Sequence, residues 1–331
     1  MSSKPKVVVA DFIQDPLDHE RRILGDIADV VALNAFSEAD LAGKIDDADA
    51  VMLYHFVSLT RDTIARLKHC RLIVRCGVGF DNVDRARARE RGIPVANVPD
   101  YGTEDVADSA IGMALTLSRG VHFMNSRLQR RNGPWTYTQV QPTNRLRGRV
   151  FGIIGMGRIG TATALRAKSL GMEVAYYDPY APQGRDKSLG IRHVENLDDL
   201  LSEAHIVSLH CPLTPETHHI INPQTLRKMR PDAFLVNTSR GGVVDVYAVL
   251  EAIEQNRLRG AAIDVLETEP PADNDPLIAA WRNPQHPAHD RIIINPHAAF
   301  YTEEGLVDMR VKGSQNCRRV LLGKEPYNLV N

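Results

Sequence analysis

Short apolar runs recur along the chain, and stretches with helical spacing separate them. Residues 7–10, 30–33, 50–53, 72–76 and 95–97 are rich in aliphatic side chains, so they predict buried strands. Between them, 17–27, 38–45, 60–67 and 84–90 carry helical spacing, with Ser37 and Thr60 as N-caps. Residues 104–129 predict one long helix. Its small and apolar side chains (Ala107, Ala110, Ile111, Met113, Ala114, Leu117) lie on most faces, which makes it mostly buried. The alternation then resumes with strands at 150–154, 173–177, 205–209, 233–237, 260–264 and 291–294. Helices are predicted at 161–170, 197–201, 223–229 and 247–256, and a last long one at 303–322. The segment 130–149 is basic and turn-rich around Trp135 and Tyr137, and fits a surface loop or a contact between subunits equally well. The segment 272–290, rich in Pro, Asn and Asp, reads as a loop. Alternating strands and helices predict an α/β fold of two doubly wound parallel sheets, each covered on both faces.

Composition narrows the class. At 331 residues the chain can bury two cores, and 43% hydrophobic with 24% charged residues is ordinary for a globular protein. A net charge of −1 gives no electrostatic case for a nucleic acid or a membrane surface as partner. No apolar run approaches the roughly 20 residues of a membrane span, and residues 1–6 lack an apolar signal core. Four cysteines, widely spaced and without Cys-x-x-Cys, suit free thiols in a reducing compartment, so the expected location is the cytoplasm.

One motif organises the second half. The strand at 150–154 runs into Gly155-Met-Gly157-Arg-Ile-Gly160, a helix follows, and the strand after it ends at Asp178. This is a dinucleotide fingerprint in its required setting. Gly155 permits the tight turn, Gly157 leaves room for a pyrophosphate, and Gly160 lets helix and strand approach. The helix N-terminus offers N–H groups to the anion. Asp178 is placed to accept from both adenosine ribose hydroxyls. A 2′-phosphate would meet its charge, and Pro179 and Tyr180 rather than an arginine follow, so NAD is favoured over NADP.

In doubly wound sheets, ligands bind beyond the carboxyl ends of strands. Three later strands end in Thr238-Ser-Arg240, in the run to Glu269, and in Pro296-His297. Singly, each residue has an ordinary role open to it: a turn arginine, a loop acid, a solvated histidine. Together, beside a nucleotide site, they point to hydride chemistry on a carbonyl. His297 can give a proton near neutral pH, Glu269 can steady the imidazolium, and Arg240 can fork onto a carboxylate. His218-His219 is not read as a metal pair, because no third ligand accompanies it in the sequence.

These motifs, with Asn237-Thr-Ser-Arg-Gly-Gly242, Ala262-Ile-Asp-Val-Leu-Glu-Thr-Glu-Pro270 and Arg75-Cys-Gly-Val-Gly-Phe-Asp-Asn82, resemble the D-isomer-specific 2-hydroxyacid dehydrogenases over nearly the whole chain. Tyr54-His55, Tyr177-Asp-Pro-Tyr180 and the His-Ala-Ala-aromatic ending resemble the C-terminal-binding-protein type within that family. The resemblance implies a flavodoxin-like substrate domain (1–100 plus 302–331), an inserted Rossmann NAD domain (101–301) and a homodimer. It implies a catalytic trio of Arg240, Glu269 and His297. It also implies NAD contacts from Arg158, Ile159, Asp178, Cys211, Pro212, Thr217, Thr238, Asp264 and Ala299. Substrate contacts would come from Arg75, Gly77, Val78, Gly79, Arg240 and Phe300, the 75–79 loop binding a carboxylate through backbone N–H groups. Phe300 stands where the corepressors of this type carry a tryptophan, and Val78 where they carry a serine, which reshapes the pocket.

The reading is an NAD-dependent enzyme that interconverts a small 2-oxoacid and its D-hydroxy acid, with domain closure excluding water. An NADH-sensing scaffold for partner peptides is the rival; the stop at Asn331, soon after the last helix, argues against the long tail such regulators carry. A D-3-phosphoglycerate dehydrogenase is the runner-up, because residues 53–58 supply no permanent cation for a phosphate.

Overall fold

The structure is a computed structural model that describes residues 4–140 and 142–331. Its contacts divide the chain into two units. One comprises residues up to Gly102 together with Thr302–Asn331, and the other Thr103–Tyr301.

In the first unit β1 (Lys6–Asp11), α1 (Asp18–Leu24), β2 (Asp29–Ala35), β3 (Ala50–Leu53), α2 (Arg61–Arg66), β4 (Leu72–Arg75), α3 (Arg85–Glu90) and β5 (Val95–Asn97) follow one another. The strands are all parallel, in the order β2-β1-β3-β4-β5. Every residue of β3, β4 and β5 is buried, which explains why these runs show no polar alternation. The helix predicted at 38–45 is only a 3-10 turn, Glu38–Leu41. Phe36 N, Ser37 N and Ser37 Oγ all donate to Asp40 Oδ2, which closes the turn on itself. Thr60 takes the N-cap position of α2, but its hydroxyl donates to Glu38 Oε1 at 2.8 Å instead of capping the helix.

The second unit contains α4 (Thr103–Arg119), α5 (Val121–Gln129), β6 (Val150–Ile154), α6 (Arg158–Ser169), β7 (Glu173–Tyr177), α7 (Arg185–Leu189), β8 (Arg192–His193), α8 (Leu197–Glu203) and β9 (Ile206–Leu209). It continues with α9 (Pro223–Leu226), β10 (Phe234–Asn237), α10 (Val246–Glu254), β11 (Gly260–Ile263), α11 (Pro276–Arg282) and β12 (Ile292–Ile294). Its seven parallel strands run β12-β11-β10-β9-β6-β7-β8. The chain order reverses between β6 and β9, which is where a doubly wound sheet opens a crevice for a ligand. The last helix, α12 (Glu303–Leu321), belongs to the first unit. Its Arg310 donates to the fully buried Glu20 of α1 through Nε (2.7 Å) and Nη2 (2.6 Å).

Three expectations fail for local reasons. The single helix expected at 104–129 is two, because Gly120 adopts a left-handed φ of +62° and ends α4. Nor is it buried on most faces: α4 buries one stripe that includes Ala107, Ala110, Ala114 and Leu117, and α5 buries nothing. The loop at 272–290 contains α11. Asp275 Oδ1 caps it by accepting from Leu277 N (2.9 Å) and Ile278 N (3.1 Å), with Pro276 at the first helical position. In the 130–149 segment Trp135 is 89% exposed. No helix among the described residues is long and apolar enough to cross a membrane.

Candidate active site

Two of the three fingerprint glycines stand where backbone leaves no room for a side chain. Gly155 has φ +93°, and a Cβ there would lie 2.6 Å from Cys211 N and 2.8 Å from His210 C. A Cβ on Gly160 would overlap the carbonyl of Gly155. Gly157 is different: a Cβ there meets nothing within 4 Å. Gly157 is also the N-cap of α6, and no side chain caps the first N–H groups of that helix. Arg158 is exposed and Ile159 half-buried at the start of the same helix.

The other predicted cofactor residues line the ends of β7, β9, β10 and β11. Asp178 Oδ2 accepts from Met156 N (2.7 Å) and Oδ1 from Tyr180 N (2.9 Å). The acid therefore steadies the glycine turn while keeping lone pairs for other donors. Cys211 is buried, and burial pushes its thiol up to about 11, so it is a packing residue here and not a thiolate. Thr217 Oγ1 donates to Pro212 O (2.6 Å) and accepts from Thr214 N (2.8 Å), which shapes the turn after β9. Thr238 Oγ1 is buried with no hydrogen-bond partner. A buried hydroxyl left unpaired costs about 1–3 kcal/mol, and a bound cofactor is what would satisfy it. A helix N-terminus without a side-chain cap, a carboxylate at the end of β7 and an orphaned hydroxyl together fit a dinucleotide.

The structure joins two of the three expected catalytic residues directly. Glu269 Oε2 lies 2.7 Å from His297 Nδ1, both side chains being about one-third exposed (34% and 31%). Glu269 Oε1 accepts from Leu266 N at 2.7 Å, which fixes the carboxylate. His297 has a left-handed φ of +53°. Asp264 holds that backbone: its carbonyl accepts from His297 N (2.8 Å), and its Oδ1 accepts from Ala298 N (2.9 Å) and Ala299 N (3.0 Å). Burial pushes the Asp264 carboxyl above the usual carboxylate range. Asp264, expected at the cofactor, thus has a second part in shaping the histidine turn. Ala299 is buried, and Phe300 meets the His297 ring edge-on with centroids 6.1 Å apart.

Arg240 follows β10, and its Nη1 donates to Ser239 O at 2.8 Å. Its loop packs against the Glu269 loop, since a Cβ on Gly241 would overlap the backbone of Leu266 and Glu267. The residue that sets this loop is Asn237, which no motif in the sequence marks as functional. Fully buried, Asn237 donates from Nδ2 to Arg240 O (3.0 Å) and accepts at Oδ1 from Ser239 N (3.1 Å) and Ser239 Oγ (2.9 Å). The signal was its place at the last position of a buried strand. Asn237→Ala should destabilise the fold by about 1–3 kcal/mol, read as a lower melting temperature.

In the first unit Arg75 is 6% exposed and its Nη1 lies 3.4 Å from Cys76 O. Gly77 N donates to Arg75 O at 2.9 Å, so that N–H is used within the loop and not offered to a ligand. Asn97 Nδ2 holds the loop by donating to Val78 O at 2.7 Å, and Val78 and Gly79 are half-buried beyond it.

Residues 111–299 match the family described as D-isomer specific 2-hydroxyacid dehydrogenase, NAD binding domain. The chain belongs to this family. The D-3-phosphoglycerate dehydrogenase of Methanocaldococcus jannaschii is 35% identical over 325 residues, 98% of this chain and 60% of that protein. C-terminal-binding protein 1 of Caenorhabditis elegans is 32% identical over 337 residues, 100% of this chain and 45% of that one. The chain therefore spans between 45% and 60% of the length of these two relatives. Among solved structures, a D-lactate dehydrogenase from Aquifex aeolicus complexed with NAD and lactic acid superimposes with a TM-score of 0.84 at 27% identity, covering 96% of each chain. In this family's terms, the second unit carries the NAD-binding domain.

Proposed function

We propose that the chain is an NAD-dependent dehydrogenase that interconverts a small 2-oxoacid and its D-2-hydroxy acid. One observation carries the reading: the 2.7 Å Glu269–His297 contact at the carboxyl edge of the sheet that holds the fingerprint. NADH, when bound, supplies the hydride. The chain supplies the rest. His297, with Nδ1 engaged by Glu269, gives its proton to the carbonyl oxygen as that oxygen becomes a hydroxyl. Glu269 holds the ring and stabilises the imidazolium. Arg240 binds the substrate carboxylate and polarises the neighbouring carbonyl. The test is NADH oxidation across a panel of phosphorylated and unphosphorylated 2-oxoacids. Turnover of an unphosphorylated acid is expected. If none of the panel is reduced while NADH binds and alters binding of a peptide, the enzyme reading fails in favour of a sensing scaffold.

A phosphorylated substrate is the second reading, favoured by the 35% identity to a D-3-phosphoglycerate dehydrogenase. Against it stand a 53–58 loop without a permanent cation and the burial of Arg75. Turnover confined to phosphorylated acids would establish it. A homodimer is read from the exposed Trp135 and Tyr137 and from α5, which buries no residue within the chain; light scattering at the monomer mass would remove it. A cytoplasmic location fits the four free cysteines.

Asp178 governs cofactor choice in this account. Asp178→Ala should weaken NADH binding about 10–100-fold, from the loss of hydrogen bonds to a charged acceptor, and should narrow the preference over NADPH. Asp178→Asn keeps an acceptor for Met156 N and so separates charge from loop support. Unchanged preference in both variants would count against the assignment.

A further inference from the structure

Among the described residues one group of three side chains has the geometry of a metal site, and it lies outside the proposed catalytic trio. His218, His219 and Glu267 place one ligand atom each within 4.8 Å of one another. His218 Nε2 lies 3.6 Å from Glu267 Oε1, and His219 Nε2 lies 3.5 Å from Glu267 Oε2. The sequence offers no third ligand beside the histidine pair; folding brings one from a loop almost fifty residues away.

We propose that His218, His219 and Glu267 bind a divalent transition-metal ion of the imidazole-preferring class, such as Zn²⁺, with solvent in the fourth position. A tetrahedral zinc with bonds of about 2.0–2.2 Å sets neighbouring ligand atoms about 3.4 Å apart. The two histidine–carboxylate separations, 3.6 and 3.5 Å, run to different oxygens of Glu267, and one ligand atom from each residue lies within 4.8 Å of the others, a spread that rotation of the exposed Glu267 carboxylate and of the half-exposed His218 closes around an ion. Two imidazoles and one carboxylate are a donor set that zinc takes with one position open. His219 Nε2 is buried and makes no hydrogen bond, so a polar atom is aimed into the cluster and left unsatisfied there. The two rings stack with centroids 4.1 Å apart.

The frame around the cluster is rigid on the side that matters. His219 is held in a left-handed conformation at φ +47°. Its N–H donates to Gly242 O at 2.8 Å, and its carbonyl accepts from Asn222 Nδ2 at 2.9 Å. Gly241 abuts the backbone of Glu267 with no room for a Cβ. His218 is half-exposed and supplies both the adjustable ligand and the entry path. An ion here would tie the turn after β9 to the loop that also carries Glu269.

Tag-free, metal-stripped protein titrated with Zn²⁺ by calorimetry should bind a single ion per chain, and the loaded protein should melt at a higher temperature. Titration with Co²⁺ should produce the visible bands of a four-coordinate site. Glu267→Gln and His219→Ala should each weaken Zn²⁺ binding by at least about 10–100-fold, the loss that follows even removal of a supporting partner. Glu267→Gln is isosteric and exposed, so it keeps the experiment informative if His219→Ala does not fold. No binding to the wild-type chain, or Zn²⁺ affinity unchanged in the Glu267→Gln variant, overturns the proposal. None of these readouts depends on turnover, so they stand or fall apart from the dehydrogenase reading.

Discussion

Replacing His297 by alanine should lower turnover by a factor of about 10²–10⁴, the usual worth of a positioned general acid, and leave NADH affinity almost unchanged. The two effects separate because of where the side chain sits. The imidazole contacts Glu269 and the edge of Phe300, while the fingerprint at 155–160 belongs to another strand end. His297→Ala also relieves nothing in the turn itself, since Asp264 grips the backbone of residues 297–299 and not the ring. Glu269→Gln should act in the same direction and more weakly, because an amide can still accept from Leu266 N but cannot stabilise an imidazolium. Steady-state rates and NADH fluorescence titrations on the same preparations check both. Turnover within twofold of wild type in His297→Ala would take the histidine out of the mechanism.

Gly155→Ala should abolish measurable cofactor binding and destabilise the second unit by at least about 2–4 kcal/mol, combining left-handed strain with displaced backbone. The atoms a Cβ would strike at 2.6–2.8 Å are main-chain atoms of His210 and Cys211, which cannot rotate away. Gly157→Ala is the informative contrast. A Cβ there meets no protein atom, so the apo melting temperature should hold while NADH affinity falls, because the methyl group stands where the pyrophosphate must approach. Thermal denaturation and NADH titration of the pair give four numbers. Equal melting and equal affinity for both variants would contradict the assignment of this turn.

Much of this was legible in the chain because parallel strands buried on both faces carry short, mostly apolar runs. Ala50–Leu53, Val95–Asn97, Val150–Ile154 and Glu173–Tyr177 fall where those runs lie. The family, the α/β class and the dinucleotide fingerprint were equally plain, since a glycine turn, a helix and a terminal acid leave a spaced signature. What escaped was non-local or conformational. A helical pattern across Gly120 looks continuous until the backbone turns left-handed there. The α11 helix hid in a Pro- and Asp-rich stretch, although Asp275-Pro276 is itself a start signal. The roles of Asn237 and Asp264 in holding the turns that carry Arg240 and His297 are hydrogen-bond facts with no sequence periodicity. Glu267 beside His218 and His219 is a tertiary meeting that spacing alone could not announce.

The most direct test of the central claim follows the transferred atom. The wild-type chain would be given NADH deuterated at nicotinamide C4 on the transferred face and the best 2-oxoacid from the panel, and the product examined for label and chirality. The account predicts deuterium at C2 of a product that is the D-hydroxy acid. An L-hydroxy acid, or a reduced product without the label, would contradict it.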